Sequence, residues 1–240
     1  MLLESLYLVR PKQFPDGQAM ARSSGAIDVL NNAVVCGSLA EAIADCQLVI
    51  AASARRRSIP WPMISAPEAA LKLIQRGQVA PVALVFGRED RGLNNEELDH
   101  CHFMVQLPAN PEFSSLNIAA AVQVFSYEIR KTFLADKSLQ VNNDSAPDVA
   151  NDLNDADRPA SSNNLMNLFT HLEKTLIQVN FMPAHRTRTL MRKLMRFFYK
   201  SQITEEEVSI FRGILSELDR LSFINKDLEE QMQKSITEDE

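Results

Sequence analysis

One stretch of the chain decides the fold: residues 82–98 read VALVFGREDRGLNNEEL. Its first five residues form an uninterrupted apolar run, which is typical of a strand buried on both faces of a parallel sheet. Gly87 ends this run, and Gly92 supplies a second backbone position that tolerates unusual torsion angles. Asn94 and Glu97 have the spacing that starts a helix. The stretch therefore predicts a strand, a charged loop and a helix in succession.

Similar apolar runs alternate with helical patterns throughout residues 1–136. Further strands are predicted at Leu6–Val9, Asn32–Val35, Leu48–Ala51 and, more weakly, Phe103–Leu107. Helices are predicted at Ala19–Leu30, Ser38–Cys46, Pro67–Arg76, Asn94–Cys101 and Ser115–Leu134. This alternation indicates an α/β domain built on a parallel sheet with helices on both faces.

The remainder of the chain divides in two by composition. Residues 137–163 are rich in Asn, Asp, Ser, Pro and Ala, so they cannot offset their ordering entropy by burial and predict a flexible acidic linker. Apolar periodicity then returns, and residues 164–240 are predicted to form a small all-α domain with a frayed tail after Asn225. Its helices are predicted at about residues 165–179, 187–199 and 204–221, the last starting with a Thr204–Glu207 capping box.

The composition argues against several classes of protein. A formal net charge of -6 argues against general affinity for polyanions, so nucleic acid would bind at local basic patches. The three cysteines lack Cys-x-x-Cys spacing, and His100 and His102 have no further ligand cluster near them, so we expect no disulfide framework and no metal site. No apolar run approaches the roughly 20 residues of a membrane span, and no signal peptide is visible. We therefore expect a cytoplasmic protein without a membrane partner.

Three segments that follow predicted strands carry the candidate chemistry. In residues 51–57, small side chains at the end of a strand allow a ligand to approach the backbone. In residues 87–92, four adjacent charges at the mouth of a strand indicate binding or mutual pairing. In residues 107–119, two prolines fix the loop, and Ser114 or Ser115 can cap the long helix, whose dipole favours an anion. Taken singly, the segments also fit a tight turn, a solvated loop with ion pairs and a plain helix cap.

Two of these segments resemble a known family. The charged loop and the sequence LPANPEFSSLNIAAAVQV at residues 107–124 are similar to the second and third motifs of the SpoU branch of the SPOUT methyltransferases. With SARRRSIPWPM at residues 53–63 and the helical C-terminal region, the resemblance extends over nearly the whole chain. It implies a deep trefoil knot at the end of the sheet domain, a rare exception to unknotted topology.

The same resemblance implies a function. It identifies the chain as an RNA 2′-O-methyltransferase that uses S-adenosyl-L-methionine and acts on tRNA, at the ribose of nucleotide 32 in the anticodon loop. It also implies a homodimer, for which the long apolar helix at Ser115–Leu134 would suit the interface. No metal is required for this chemistry, because a sulfonium methyl carbon is already electrophilic.

The resemblance further assigns roles to individual residues. Ser115 and Asn117 match the third-motif residues that, with an Arg of the first motif, orient and activate the ribose hydroxyl, which is otherwise a poor nucleophile. Glu89 matches an acidic residue of the second motif, to which we assign a positioning role. Contacts with the cofactor are implied for Ala52, Ser53, Ala54, Gly87, Leu107, Ser114, Ser115 and Leu116.

A basic helix face is the candidate RNA interface. Arg188, Arg192 and Arg196 recur at four-residue intervals and share one face, in a stretch without acids. The opposite face is predicted to bury Leu190, Leu194 and Phe197. Phosphate contact is the expected role of the basic face, and a solvated helix face is the alternative. Further RNA contacts are expected from Arg55, Arg56, Arg57 and Arg88, whereas Trp61 is interpreted as a packed loop anchor.

The sequence departs from the family pattern at its beginning. The first motif, N-x-G-x-x-x-R, is not found, and Leu2 falls where a Gly is usual. This pattern indicates either an N-terminal truncation, through a misassigned start for example, or a natural chain with impaired catalysis. The second interpretation predicts a non-catalytic tRNA-binding protein on the same scaffold. A nucleotide-dependent oxidoreductase is disfavoured, since no Gly-x-Gly-x-x-Gly follows the first strand.

Overall fold

A computed structural model describes residues 3, 5–54, 61–109, 116–141, 158–183 and 187–238. The chain forms two compact units. The first unit consists of residues 1–152 and 161–163, and the second consists of residues 153–160 and 164–240.

The first unit alternates short strands with helices. Its elements are β1 (Tyr7–Val9), α1 (Gly17–Arg22), a 3-10 turn (Ser24–Ala26), α2 (Ile27–Asn31), β2 (Val34–Cys36), α3 (Leu39–Ala42), β3 (Leu48–Ala52), β4 (Met63–Ile64), α4 (Ala66–Gly77), β5 (Val82–Phe86), α5 (Asn95–Leu98), β6 (Phe103–Val105) and α6 (Ile118–Val141). Every pairing between these strands is parallel. The predicted α/β architecture with parallel strand pairing is therefore confirmed.

The described strands form two sheets. β1 pairs with β2, and a separate four-stranded sheet has the order β4-β6-β3-β5. Because β3 lies between two neighbours and under helices, Leu48–Ala51 are all buried, which explains why the run is apolar without alternation. The carboxyl ends of β3, β5 and β6 consequently lie side by side at one edge of the sheet.

Helices α4 and α6 build the core against this sheet. Pro67 lies in the first turn of α4, and a Ser65–Glu68 capping box pairs the backbone amides at its start. From α6, Phe125 and Ile129 are 3% and 4% exposed and pack in the same cluster as Ile50. Burial of each such side chain stabilises the fold by about 1.5–3 kcal/mol, so the position of α6 is firmly determined.

Several predicted boundaries differ from the structure. The single helix predicted at Ala19–Leu30 is broken into α1, a 3-10 turn and α2, because Ser24 takes a left-handed backbone conformation with φ of 49°. The two-residue strand β4 was not predicted, since its length gives no pattern. α6 extends to Val141 and therefore into the predicted linker at 137–163, of which residues 142–157 lie outside the described part.

The second unit contains α7 (Ser162–Gln178) from residue 164 onward, α8 (Thr187–Ser201) and α9 (Glu205–Glu238). The predicted capping box at the start of α9 is confirmed, since Thr204 Oγ1 accepts from the Glu207 amide at 3.2 Å and the Glu207 carboxylate accepts from the Thr204 amide at 2.8 Å. The predicted fraying after Asn225 is wrong, because α9 continues to Glu238. Asp219 of α9 accepts hydrogen bonds from Thr175 and His171 of α7, which fixes the register of the two helices.

The buried face of α8 also differs from the prediction. Met191, Met195 and Phe198 are 6–7% exposed, whereas Phe197, predicted to be buried, is 64% exposed. Phe198 makes ring contacts with Phe169 of α7 and Phe211 of α9, so these neighbours determine which apolar stripe faces inward. Helix α8 is therefore rotated about its axis relative to the predicted orientation. Arg192, predicted to lie on the open basic face, is only 6% exposed, Arg196 is half-buried and Arg188 is exposed.

Candidate active site

A cavity of about 540 Å³ lies at the carboxyl ends of β3, β5 and β6. Its walls are the loops that follow these three strands and the first two turns of α6. The lining residues are Ala52, Ser53, Ala54, Phe86, Gly87, Arg88, Glu89, Asp90, Arg91, Gly92, Val105, Leu107, Leu116, Ile118, Ala121 and Phe125. Segments far apart in sequence meet here because neighbouring parallel strands end at the same edge.

The cavity brings together most of the predicted cofactor contacts. Ala52, Ser53, Ala54, Gly87, Leu107 and Leu116 all line it. The remaining two, Ser114 and Ser115, lie outside the described residues, as do Arg55, Arg56 and Arg57.

A backbone hydrogen bond joins the first loop to the end of β6. The Ser53 amide donates to the Val105 carbonyl oxygen at 3.0 Å, which continues the parallel pairing of β3 with β6 one residue beyond the strand. The small side chains of Ala52, Ser53 and Ala54 leave the backbone of this turn accessible to a ligand in the cavity. The first loop is thereby held by the sheet itself.

Gly87 is required by the shape of the second loop. A Cβ at Gly87 would overlap the backbone of Gly92 and Leu93, so a side chain at this position cannot be accommodated without moving the loop. The loop closes through a hydrogen bond of 2.6 Å from the Gly92 amide to the Arg88 carbonyl oxygen. Gly92 itself has φ of +65°, in the left-handed region that glycine adopts at little cost.

The charged residues of the second loop pair locally. Arg88 lies 3.9 Å from Glu97, and Arg91 lies 3.4 Å from Asp90. Each pair has at least one strongly exposed side chain, so each contributes about 0–1 kcal/mol to stability. Glu97 also completes the predicted capping box with Asn94, which is confirmed. Local ion pairing, one of the two interpretations of the loop, is therefore present alongside the cavity.

Asn117 connects the second loop to the start of α6. Its Nδ2 donates to Glu89 Oε1 at 2.7 Å, while its Oδ1 accepts from the Ala119 amide at 2.8 Å. The Asn117 carbonyl also accepts the first intrahelical hydrogen bond, from Ala121 at 2.9 Å, so Asn117 is the N-cap of α6. The prediction that this helix starts at Ser115, with Ser114 or Ser115 as its cap, is therefore wrong. Asparagine is itself a favoured cap and lies nearer the apolar run.

The inner wall of the cavity is apolar. Phe86 and Phe125 contact each other edge to face, with ring centroids 5.8 Å apart. Ile118, Ala121 and Phe125 lie at helical spacing on one face of α6 and all line the cavity. None of these three residues was predicted from the sequence. Counting i+1, i+4 and i+8 from Asn117 would have found them, once Asn117 was recognised as the cap.

Trp61 and His102 are both buried, and burial was predicted for Trp61. Trp61 is 4% exposed and donates from Nε1 to the Cys101 carbonyl oxygen at 2.8 Å, which confirms it as a loop anchor. His102 lies at the start of β6, and its Nδ1 accepts from the Val49 amide at 3.1 Å. Burial lowers the pKa of His102 to about 4, so the ring is neutral at pH 7 and can accept this hydrogen bond. Within the described residues, no cluster of three or more His, Cys, Asp or Glu side chains could hold a metal ion.

Comparisons with known proteins agree with this geometry. Residues 1–127 match the SpoU rRNA methylase family, and residues 163–233 match the C-terminal domain of tRNA methyltransferase TrmJ. The chain belongs to the SpoU rRNA methylase family. This membership confirms the predicted RNA methyltransferase, an enzyme that takes its methyl group from a donor.

Individual relatives of this methylase family align over most of their length. A curated tRNA (cytidine/uridine-2'-O-)-methyltransferase TrmJ from Klebsiella pneumoniae is 43% identical over 220 residues, which cover 92% of this chain and 87% of the relative. The crystal structure of TrmJ from Z. mobilis ZM4 has a TM-score of 0.71 at 31% identity, covering 90% of this chain and 88% of that one. A probable methylase family protein from Haemophilus influenzae Rd KW20 has a TM-score of 0.54 at 35% identity, covering 92% of this chain and 86% of that one.

In the parts of the chain that are described, no helix has the length and apolarity that a membrane crossing requires.

Proposed function

We propose that this chain transfers a methyl group from S-adenosyl-L-methionine to a ribose 2′-hydroxyl in tRNA, at nucleotide 32 of the anticodon loop. The observation that carries the proposal is the convergence of three strand-end loops on one cavity, with the Asn117–Glu89 hydrogen bond beside it. The Klebsiella relative, a tRNA (cytidine/uridine-2'-O-)-methyltransferase, supports the choice of substrate.

The residues of the cavity suit the proposed donor. Its volume of about 540 Å³ is typical of small-molecule sites, which span roughly 300–1,000 Å³. The apolar wall from Phe86 to Phe125 suits an aromatic base, and the carboxylates of Glu89 and Asp90 are suited to the positive charge of a sulfonium. The donor would be held by Ala52–Ala54, Gly87, Leu107 and Ser114–Leu116. When bound, it supplies a methyl carbon that is open to attack by an oxygen nucleophile.

The chain's own contribution would be orientation of the ribose hydroxyl. We assign this role to Ser115 and Asn117, and the positioning of Asn117 to Glu89. Because Asn117 uses its Oδ1 for the helix cap and its Nδ2 for Glu89, its side chain has one defined orientation. Asn117 is not among the lining residues, but its fixed amide contacts Glu89, which is. This contact supports positioning as the role, since an in-line displacement depends on alignment of the two reacting groups.

The proposal extends to the assembly of the protein. A sheet domain that ends with α6 and contains a trefoil knot, a linker between α6 and α7, and an RNA-binding helical extension of α7, α8 and α9 would form the subunit of a homodimer. Support for a dimer interface on α6 comes from its exposed apolar side chains, which include Val122, Val124 and Tyr127 at 39%, 39% and 62% exposure. The RNA contacts retained in the proposal are Arg55, Arg56, Arg57, Arg88, Arg188 and Arg196, whereas the burial of Arg192 removes it from the open face.

A labelled-methyl assay tests the proposal. The protein is incubated with S-adenosyl-L-methionine carrying a labelled methyl group and an unmodified tRNA transcript, beside a matched transcript with 2′-deoxyribose at nucleotide 32. We expect label in the first transcript and none in the second. Binding of donor and tRNA without transfer would instead support the non-catalytic tRNA-binding interpretation, and failure to bind the donor would refute the proposal.

The proposed role of Ser115 has its own test. Ser115→Ala should lower kcat more than it lowers affinity for the donor, because its hydroxyl is assigned to the ribose, whereas the donor is held by several further residues. Donor affinity is measured by calorimetry and kcat by the labelled-methyl assay. Equal losses in both would contradict the assignment.

A further inference from the structure

One exposed aromatic ring and three basic side chains lie close together on the solvent-facing side of α8. Lys193, Phe197 and Lys200 recur at intervals of four and three residues, and Arg196 lies beside Phe197. Phe197 is 64% exposed, Lys193 and Lys200 are exposed and Arg196 is half-buried. We call this set, Lys193, Arg196, Phe197 and Lys200, the α8 patch.

The cations of the α8 patch are uncompensated among the described residues. Residues 187–201 contain no Asp or Glu, and neither a hydrogen bond nor an ion pair from described residues engages the side chains of Lys193, Arg196 or Lys200. Three positive charges along about two turns of helix therefore present a local positive field on a chain whose net charge is -6. Such a field favours a polyanionic partner.

The ring of Phe197 makes an edge contact with a buried ring and is largely exposed. Its neighbour Phe198 is 6% exposed and lies 5.7 Å from it, ring centroid to ring centroid, at an interplanar angle of 79°. Phe198 is in turn packed against Phe169 and Phe211. The backbone that carries Phe197 is thus anchored in the core of the second unit, while the ring itself remains accessible. An aromatic side chain with a free face on such a helix can serve as a stacking platform for a base.

We propose that the α8 patch binds an unpaired base of RNA, which stacks on Phe197 while Lys193, Arg196 and Lys200 contact the adjacent phosphates. The choice of tRNA as the natural source of that base rests on the proposed function. Unpaired nucleotides are the parts of an RNA whose bases can leave the helical stack and meet an aromatic side chain. The patch would therefore recognise a loop or an end and not a duplex.

Other partners fit the α8 patch less well. A second copy of the chain would bring two sets of three cations together, which costs electrostatic energy. A membrane surface is bound by several apolar side chains along one helix face, whereas the exposed neighbours of Phe197 on this face are Lys193 and Lys200. A base flanked by phosphates can stack on the Phe197 ring while its phosphates pair with the three cations.

Binding measurements with RNA oligonucleotides test the patch. Fluorescence anisotropy of the full chain is measured with a labelled single-stranded RNA and with a blunt RNA duplex of the same length. Phe197→Ala should weaken single-stranded binding about tenfold and leave duplex binding unchanged, since stacking is lost only for unpaired bases. Phe197→Trp should restore the affinity. Phe223→Ala is the matched control, because Phe223 is 71% exposed on α9 with Asp227 one turn away, and it should have no effect.

The cations are tested through salt dependence. Lys193→Gln together with Lys200→Gln should reduce the slope of log Kd against log salt by roughly 0.7 per lost contact. An unchanged slope, or an equal loss of single-stranded and duplex binding in Phe197→Ala, would overturn the stacking proposal. So would a change in sedimentation of Phe197→Ala, which would identify a second copy as the occupant.

These outcomes are separable from those of the proposed function. In the labelled-methyl assay, Phe197→Ala should raise KM for tRNA about tenfold and leave kcat and the donor Kd unchanged. A wild-type chain that transfers no methyl group would refute the proposed function while the oligonucleotide results still decide the patch. Conversely, normal methyl transfer with no effect of Phe197→Ala on RNA binding would overturn the patch alone.

Discussion

The Asn117 side chain donates to Glu89 at 2.7 Å and so joins the start of α6 to the loop that follows β5. The two residues are 28 positions apart in the sequence, and each has a second structural role. Asn117 caps α6, and Glu89 lines the cavity. Their contact therefore couples the rim of the cavity to the helix that packs on the core.

Substitution of either partner should give coupled losses of activity. Glu89→Ala and Asn117→Ala should each lower kcat/KM for tRNA by about 10- to 100-fold, and the double variant should lose little more than the worse single one, because contacting residues are not additive. Glu89→Gln keeps an oxygen that accepts from Asn117 but loses the negative charge, so it should retain more activity than Glu89→Ala. Fully additive losses in this cycle would contradict the positioning role of Glu89.

Replacement of Gly87 should disrupt the second loop. Gly87→Ala places a methyl group against the backbone of Gly92 and Leu93, and we expect a loss of about 2 kcal/mol or more in the free energy of unfolding together with loss of donor binding. Gly25→Ala is the matched control, because a Cβ there meets nothing within 4 Å. Urea denaturation and calorimetry measure both effects. Equal stability and equal donor binding in the two variants would mean that the second loop accommodates the added methyl group.

Stability should fall in mild acid because of His102. Its pKa is about 4 in the folded chain against an ordinary value of 6.5, so between these pH values the unfolded chain binds a proton that the folded chain does not. The free energy of unfolding should therefore decrease as pH falls from 6.5 to 4, by about 3 kcal/mol at most. Burial lowers the pKa of His100 as well, which adds to the same trend.

The control for this prediction is His102→Gln, measured by urea denaturation at pH 7, 5.5 and 4.5. The variant should be less stable at pH 7, because a packed ring is lost, but its stability should depend less on pH. A variant whose pH profile has the same slope as that of the wild type would rule out His102 as the source.

Arg188 and Arg192 should respond differently to charge reversal. Arg188 is exposed, so Arg188→Glu should weaken tRNA binding and leave the melting temperature nearly unchanged. Arg192 is 6% exposed, so Arg192→Glu should destabilise the second unit by about 3 kcal/mol through burial of an unmatched carboxylate. Circular dichroism melts and tRNA binding assays separate the two effects. Identical melts would show that Arg192 can reach solvent.

The sequence pattern predicted the longer strands of the four-stranded sheet correctly, but it assigned the wrong buried face to helix α8. β3 and β5 were placed to within one residue, because a continuous apolar run in this context has few alternatives. In α8, however, Leu190, Leu194 and Phe197 have the same spacing as Met191, Met195 and Phe198, shifted by one residue. Periodicity cannot choose between these stripes. The choice is made by Phe169 and Phe211, which belong to other helices.

The candidate site was predictable as a location but not as a set of contacts. Loops after adjacent parallel strands must meet at one edge, so the convergence of Ala52, Gly87 and Leu107 follows from the strand assignment. The bond between Glu89 and Asn117 depends on the conformations of two loops, about which residue spacing says nothing. The family resemblance predicted that both residues belong to the site. Their hydrogen bond is seen only in the structure.

Helix α6 has a practical consequence for inhibitor discovery. It contributes Ile118, Ala121 and Phe125 to the cavity wall, and Phe125 together with Ile129 to the packed interior. A compound seated against this helix reinforces the main body of the first unit, and at a concentration 100 times its Kd it adds about 2.7 kcal/mol to the free energy of unfolding. Screening by melting temperature would therefore detect occupants of the cavity without any RNA in the assay.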